Sequence, residues 1–470
     1  MIKSVGALKN VWKIADLRQK MLFTLLILAV YRIGCHIPTP FINPEKLREF
    51  MERQRSGAGG GLFQVVDLFS GSAFRNMSVL ALGIMPYISV SIILQLLTVV
   101  WPKLQKIQQE GALGQRRINR MTRNWTIALA VFQSAGIAAA LQNDGLSYFT
   151  GPDAWIFYFT SIVAMTTGTA FVMWLGERIT DSGIGNGMSM IIAVGIMAHF
   201  PSDAAKLLAS ARSGNASYIW LPFTAVLFVV STMAIVMVQE GTRRIPMQHA
   251  KRVVGRRVLQ GGTNYLPLKV NTANVIPVIF ASALLSFPGF IASLVSNSQD
   301  GGAMGNFFSL RSNYSLLDGL NALGFNQEGV FLIFKSFNAH IILFALLTGF
   351  FCYFYTAVAF NPDDVANNLK KSGSFIPGKR PGKPTSEYID YVLTRITTVG
   401  AVFLVTIAVV PQILEVSFNM PMEAASFVGG TGLIIVIGVI LDTLKQIESQ
   451  LLMRHYEGFV QRRSTAARWR

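Results

Sequence analysis

The chain has 470 residues, of which 51% are hydrophobic and 14% charged, with a mean hydropathy of +0.44 and a formal net charge of +17. Soluble domains carry about 25% charged residues, so this composition, set beside long uncharged runs, points to a polytopic membrane protein. Two cysteines imply no disulfide framework, and five scattered histidines without HExxH or CxxC spacing indicate no metal site; no GxxxxGK[ST] run offers nucleotide hydrolysis.

A spanning helix needs about 20 mostly apolar residues, and ten segments meet that need. The first, 21–40, begins MLFTLLILAV and runs on into YRIGCHIPTP. It has no small-residue cleavage site, so it reads as a span and not a removable signal. Next comes FQVVDLFSGSAFRNMS, Phe63 to Ser78, which is mostly apolar yet carries Asp67, Gly71 and Arg75. At about 1.5 Å per residue its 62–74 core reaches only about 20 Å, short of a hydrocarbon layer of roughly 30 Å. Such a half-helix is tolerated at membrane depth only where protein or water surrounds it. The remaining spans fall at about 77–100, 125–142, 156–175, 183–200, 218–238, 275–295, 338–360, 391–411 and 425–443. Between two of them, GIGNG has the wrong spacing for a dinucleotide loop and reads as a tight turn into a helix.

Segments 101–124, 239–274 and 361–390 are long and basic. In the second, RRIPMQHAKR and GRRVL predict a protruding hairpin. In the third, Pro and Gly pairs around Lys379 and Arg380 mark a turn with a basic tip. Roughly 30 of the 41 Lys and Arg fall on the side that holds both termini, which the positive-inside rule makes cytoplasmic. Topology alone accounts for any one basic loop. Their size also suits a large acidic partner, such as ribosomal RNA or the surface of a motor protein.

Inside the spans, ionisable groups are few: Arg32, Arg395 and Asp442, mainly toward helix ends, and a few histidines. Ion-coupled carriers place carboxylates or histidines near the midplane, and that constellation is missing. Small polar residues recur instead: Ser78, Ser89, Ser91 and Gln95, then Thr166 and Thr167, then Ser282 and Ser286. They suit close helix packing, or faces that part to meet water or substrate. Ile84 and Ile88 lie four apart on one helix face, as do Ile192 and Ile196, while Ile279 and Ile435 lie within two other spans. Periodicity does not separate these from ordinary core.

Six segments carry a family likeness: ALGIMPYISVSIILQLLTVV, GERITDSGIGNGMSMII, RRIPMQHAKR, LPLKVNTANVIPVIFAS, FNPDDVANNLKKSGSFIPGKRPG and DTLKQIESQLLMRHYEGF. Ordered and correctly spaced from about residue 8 to 460, they resemble the SecY/Sec61-alpha family of protein-translocase channel subunits. The resemblance implies an all-α polytopic membrane protein with ten transmembrane helices in two pseudo-symmetric five-helix halves. These would be 1–200, with a short plug half-helix at 62–75, and 201–470, with cytoplasmic loops 239–274 and 361–390; the outer loop near 201–217 would hinge them.

It further implies a channel in the cytoplasmic (inner) membrane that passes unfolded preproteins and releases membrane segments laterally into lipid. The SecA ATPase or a translating ribosome would drive it, with no catalytic residue and no cofactor in the chain. By motif match the pore ring falls on Ile84, Ile88, Ile192, Ile196, Ile279 and Ile435. The plug falls on Val65, Asp67, Leu68, Phe69, Gly71 and Arg75, with Asp67, Ser70, Ser72 and Arg75 facing a wet cavity. The lateral gate falls on Ser89, Gln95, Ser282 and Phe287, and the docking tips on Arg243, Arg244, Arg256, Arg257 and Arg380. Implied partners are the SecE and SecG subunits, the SecA motor, the ribosome with its RNA and proteins, signal sequences, unfolded preproteins and membrane lipids. Two departures from better-known members, the RQRSGAGGG padding and the long outer loop 297–337, have no functional reading. The alternative is an ion-coupled secondary transporter of small solutes, motivated by ten spans in two halves and one interrupted helix. A membrane scaffold is a third reading and leaves the half-helix unexplained.

Overall fold

The computed structural model describes residues 14–467 apart from 48, 51–66, 68, 144, 150–152, 214–217, 250–251, 255–256, 260–261, 296–338, 419, 421–423 and 425–429. The chain is mostly helical. Among the described residues seven helices are long and apolar enough to cross a membrane, or eight if one bent pair counts as a span. Chain contacts group it into two compact units. One holds Met1–Ala205, Ser286–Ser312 and Ile435–Arg470, and the other holds Lys206–Leu285 and Asn313–Ile434.

The first unit begins with α1 (Ala15–Gly34), which carries Asp16 in its first turn and Arg32 in its last. That placement complements the helix dipole. Then come α2 (Met85–Val100), α3 (Pro102–Gln109), α4 (Ala112–Asn143), α5 (Ala154–Ser182) and α6 (Gly187–Met197). Proline in the first turn opens both α2 and α3, where the missing N–H costs nothing. The two helices meet at Trp101 with a bend of 99°. At the head of α6, the Asn186 side chain accepts from the Met188 and Ser189 amides, and Gly185 takes a left-handed φ of 89°. GIGNG is thus the turn into a helix that its spacing predicts. It is also a joint, because Gly185 N–H donates to Gln446 Oε1 at 2.9 Å and Ile184 packs with Leu17 and Ile447.

The structure differs from the expected second span, 77–100. Helix begins only at Met85, and residues 71–84 form a chain of turns. Gly71, Ser72, Met77 and Gly83 all take positive φ, a region that no run of α-helix can contain. Those turns are buried in protein. Phe74, Met77, Ala81 and Leu82 join Ile137, Leu141, Phe157 and Met165 of α4 and α5 in one apolar cluster. Gly168 of α5 permits the contact, since a Cβ there would collide with the Val79 carbonyl.

The second unit starts within α7 (Phe200–Arg212), a helix where an outer loop was expected. Its Leu207 is buried with Met420 and Ala424. After α8 (Trp220–Glu240) come four strands: β1 (Thr242–His249), β2 (Arg252–Val254), β3 (Arg257–Leu259) and β4 (Thr263–Lys269). Strands β1 and β4 pair antiparallel with Ile245 opposite Leu266, and β2 pairs with β3 at the tip. This is the predicted hairpin. Side chains alternate along it: Ile245 and Met247 are buried, while Arg244, Pro246 and Gln248 face out.

Then follow α9 (Ile276–Val295), α10 (Ala339–Ala359), α11 (Pro362–Lys371), β5 (Ser374–Phe375), α12 (Lys383–Phe418) and α13 (Gly430–Ala467); α9 from Ser286 and α13 from Ile435 belong to the first unit. Strand β5 adds to the free edge of β1, so the sheet runs β4-β1-β5. Its apolar face meets α12 through Ile245, Leu268, Ile376, Ile389, Val392 and Ile396. Between β5 and α12, Gly378 and Gly382 take φ of 79° and 107°, making the turn that carries Lys379 and Arg380.

Candidate functional site

The segment before the turns is short and tightly tied. Asp67, Phe69 and Ser70 are helical, and the helix stops at Ser70 because Gly71 and Ser72 turn left-handed with φ of 65° and 70°. The expected half-helix to residue 75 is therefore shorter at its end; Val65 and Leu68 lie outside the described residues. Within the segment, Ser70 Oγ donates to the Asp67 carbonyl at 3.2 Å and accepts from Phe74 N–H at 3.1 Å. Asp67 Oδ1 accepts from Arg75 N–H at 3.0 Å. Phe69 and Gly71 are buried, Asp67 is half-buried and Arg75 is exposed.

Donors from α1 reach this segment. Tyr31 Oη donates to the Ser70 carbonyl at 3.1 Å, and Arg32 Nη1 donates to the Gly71 carbonyl at 2.8 Å. Tyr31 and Cys35 are both fully buried, and the Cys35 thiol points at the same Ser70 carbonyl from 4.0 Å. From the turn just after α6, His199 Nε2 lies 3.3 Å from both the Asp67 carbonyl and Ser72 Oγ. Gly71 also sits against Gly195 of α6 so closely that a Cβ on Gly71 would be 2.7 Å from the Gly195 Cα. The expected wet surroundings need correcting for Ser70. It is 0% exposed and spends its carbonyl and hydroxyl on protein partners, because burying a polar group without partners would cost more.

The six isoleucines are all buried, at 0–6% exposure. Ile88 N–H donates to the Ile84 carbonyl at 3.1 Å, so these two share a helical turn. Ile192 and Ile196 lie one turn apart on α6, flanking Gly195 in sequence. Ile435 belongs to the same unit as these four, and Ile279 belongs to the other. Of the gate candidates, Ser89 is half-buried and Gln95 Nε2 donates to Ser91 Oγ at 3.5 Å within α2. Ser282 Oγ donates to the Ile279 carbonyl at 2.9 Å within α9, and the Phe287 side chain lies outside the described residues. Arg243 and Arg244 are exposed on β1, and Arg380 is exposed in its turn. Arg257 opens β3 without a described side chain, and Arg256 lies outside the described residues.

Sequence reasoning passed over Tyr31, Gly195 and His199. Arg32 and His199 did carry a signal, as ionisable residues in apolar runs, where such groups mark function by default; Tyr31 and Gly195 carried none.

A family model described as SecY matches residues 78–444. "Protein translocase subunit SecY" of Chlamydia trachomatis is 42% identical, covering 97% of this chain and 98% of its own. The proteins of that description from Streptomyces coelicolor and Escherichia coli K12 are 44% and 43% identical. They cover 97% and 94% of this chain, and 99% and 94% of their own. Among solved structures, a protein-conducting channel matches with a TM-score of 0.62 at 18% identity, over 92% of this chain and 91% of that one. Sec61 from the canine ribosome-channel complex of the endoplasmic reticulum matches with a TM-score of 0.59 at 17% identity, over 92% and 91%. At those identities the two structures speak for the fold.

Proposed function

This chain belongs to the SecY family, and from that membership we propose that it is the channel-forming subunit of a protein translocase. The observation that carries the proposal is the full-length match, at 42–45% identity, to relatives described as translocase subunits. The channel passes unfolded preproteins across the cytoplasmic membrane and releases membrane segments sideways into lipid. SecE and SecG complete it, and the SecA ATPase or a translating ribosome supplies the energy; the chain itself catalyses no reaction. Solved relatives of this fold include channels bound to ribosomes.

The chain is a multi-pass membrane protein with both termini in the cytoplasm. The charge asymmetry of its loops supports that orientation. The isoleucines form the waist of the pore, where aliphatic side chains make no lasting hydrogen bonds to a passing chain and resist water when the opening is narrow. The segment around Asp67–Arg75 is the plug, and its enclosure by protein supports that reading. Ser89, Gln95, Ser282 and Phe287 line the lateral gate. A signal sequence opens it and gains about 25 cal/mol for each Å² of apolar surface that leaves water. The arginines at 243, 244, 256, 257 and 380 dock the ribosome or SecA, and the exposure of 243, 244 and 380 supports that role.

Vesicles that hold this chain with SecE and SecG, supplied with SecA and ATP, are expected to import a preprotein. Failure to import it would refute the proposal. Ion-coupled uptake of a small solute has no support from the described relatives.

A further inference from the structure

We propose that Tyr31 and Arg32 are positioning residues that clasp the plug in its resting seat by holding its main chain; this rests on the plug reading above. The left-handed turn at Gly71 and Ser72 stops the helix and leaves the carbonyls of Ser70 and Gly71 without a helical continuation. Buried carbonyls need donors: within the segment Ser70 receives only a long bond from Ala73 N–H at 3.4 Å, and α1 adds Tyr31 to it at 3.1 Å and Arg32 to Gly71 at 2.8 Å. Arg32 is a cation at the end of an apolar span, where burying charge is costly. It spends its guanidinium on a neutral carbonyl of the plug, and a hydrogen bond from a charged donor is among the stronger kinds. Tyr31 is 0% exposed, so its bond to Ser70 forms out of competition with water. The contact between Gly71 and Gly195 lets the plug backbone lie close enough to be held.

The grip falls on main-chain atoms. The clasp therefore holds the shape of the turn and tolerates changes in the plug's outward side chains. Opening must break both bonds, so the clasp sets how strongly the resting state resists ions and imperfect signals.

The test uses the full chain with its partner subunits in a lipid bilayer, and reads resting ion conductance per inserted channel. Tyr31→Phe keeps the ring and removes only the hydroxyl. Arg32→Met removes the charge with similar length, and Arg32→Lys restores a donor. Expected are a several-fold rise for Tyr31→Phe, a rise of roughly tenfold or more for Arg32→Met, and partial return toward the parent value in Arg32→Lys. In a chain that also lacks residues 65–72, neither substitution should add further leak. A merely structural role would give no lysine rescue and would still add leak without the plug. If Arg32→Met does not assemble, Tyr31→Phe decides. Parental conductance in assembled Tyr31→Phe and Arg32→Met channels would overturn the clasp. If the deletion leaks and those variants do not, the clasp falls while the plug reading stands. If the deletion itself does not leak, both fall together.

Discussion

Gly71→Ala is the sharpest probe of the seated plug, because two independent costs meet at one atom. Gly71 has a φ of 65°, and an L-residue held there pays about 1–2 kcal/mol. The new Cβ would also stand 2.7 Å from the Gly195 Cα and 3.0 Å from Arg32 Nη1. The first neighbour is backbone and cannot swing aside, so overpacking adds about 1–3 kcal/mol. Both costs belong to the seated plug and vanish when it leaves. Their sum of roughly 2–5 kcal/mol shifts the balance toward the open state by between about thirtyfold and several thousandfold. The assay is single-channel recording of the purified complex in a planar bilayer without SecA or preprotein, scored as the fraction of time open. Asn76→Ala, on an exposed neighbour, controls for general disturbance and should match the parent. An assembled Gly71→Ala channel that stays as closed as the parent would refute the reasoning, since a seat that absorbs this Cβ is not the tight contact described.

Three other substitutions test separate parts of the molecule. Arg380→Glu reverses an exposed charge at the tip of the turn before α12, and should slow SecA-driven import about tenfold, with less effect at high salt; import at the parental rate would remove Arg380 from docking. Ile435→Asn places an amide at a position 0% exposed, which should let preproteins with defective signals pass; unchanged signal selectivity would contradict a role at the pore waist. Ile389→Ala empties the fully buried centre of the contact between the sheet and α12. The loss of about 2–5 kcal/mol should speed tryptic cleavage after Arg243 and Arg244, and parental protection would show that the hairpin does not lean on this core.

By itself the sequence determined the membrane class, the family and the hairpin. Spans need only length and apolarity, which composition displays directly. The hairpin was legible because alternation in IPMQH has the period of a half-buried strand, and Ile245 and Met247 do point inward. Tertiary structure alone decided the ending of the half-helix and the late start of α2. Residues 71–84 are apolar enough to read as helix, yet close contact with Gly168 and Gly195 and burial against α4 and α5 hold them in turns. Nor could the sequence reveal the clasp. Tyr31 and Arg32 lie 39 residues from the carbonyls they hold, and the acceptors are main-chain atoms, which every residue type carries alike. Local pattern is written in side chains; a bond from a side chain to a distant backbone leaves no mark at its receiving end, so only the folded chain discloses it.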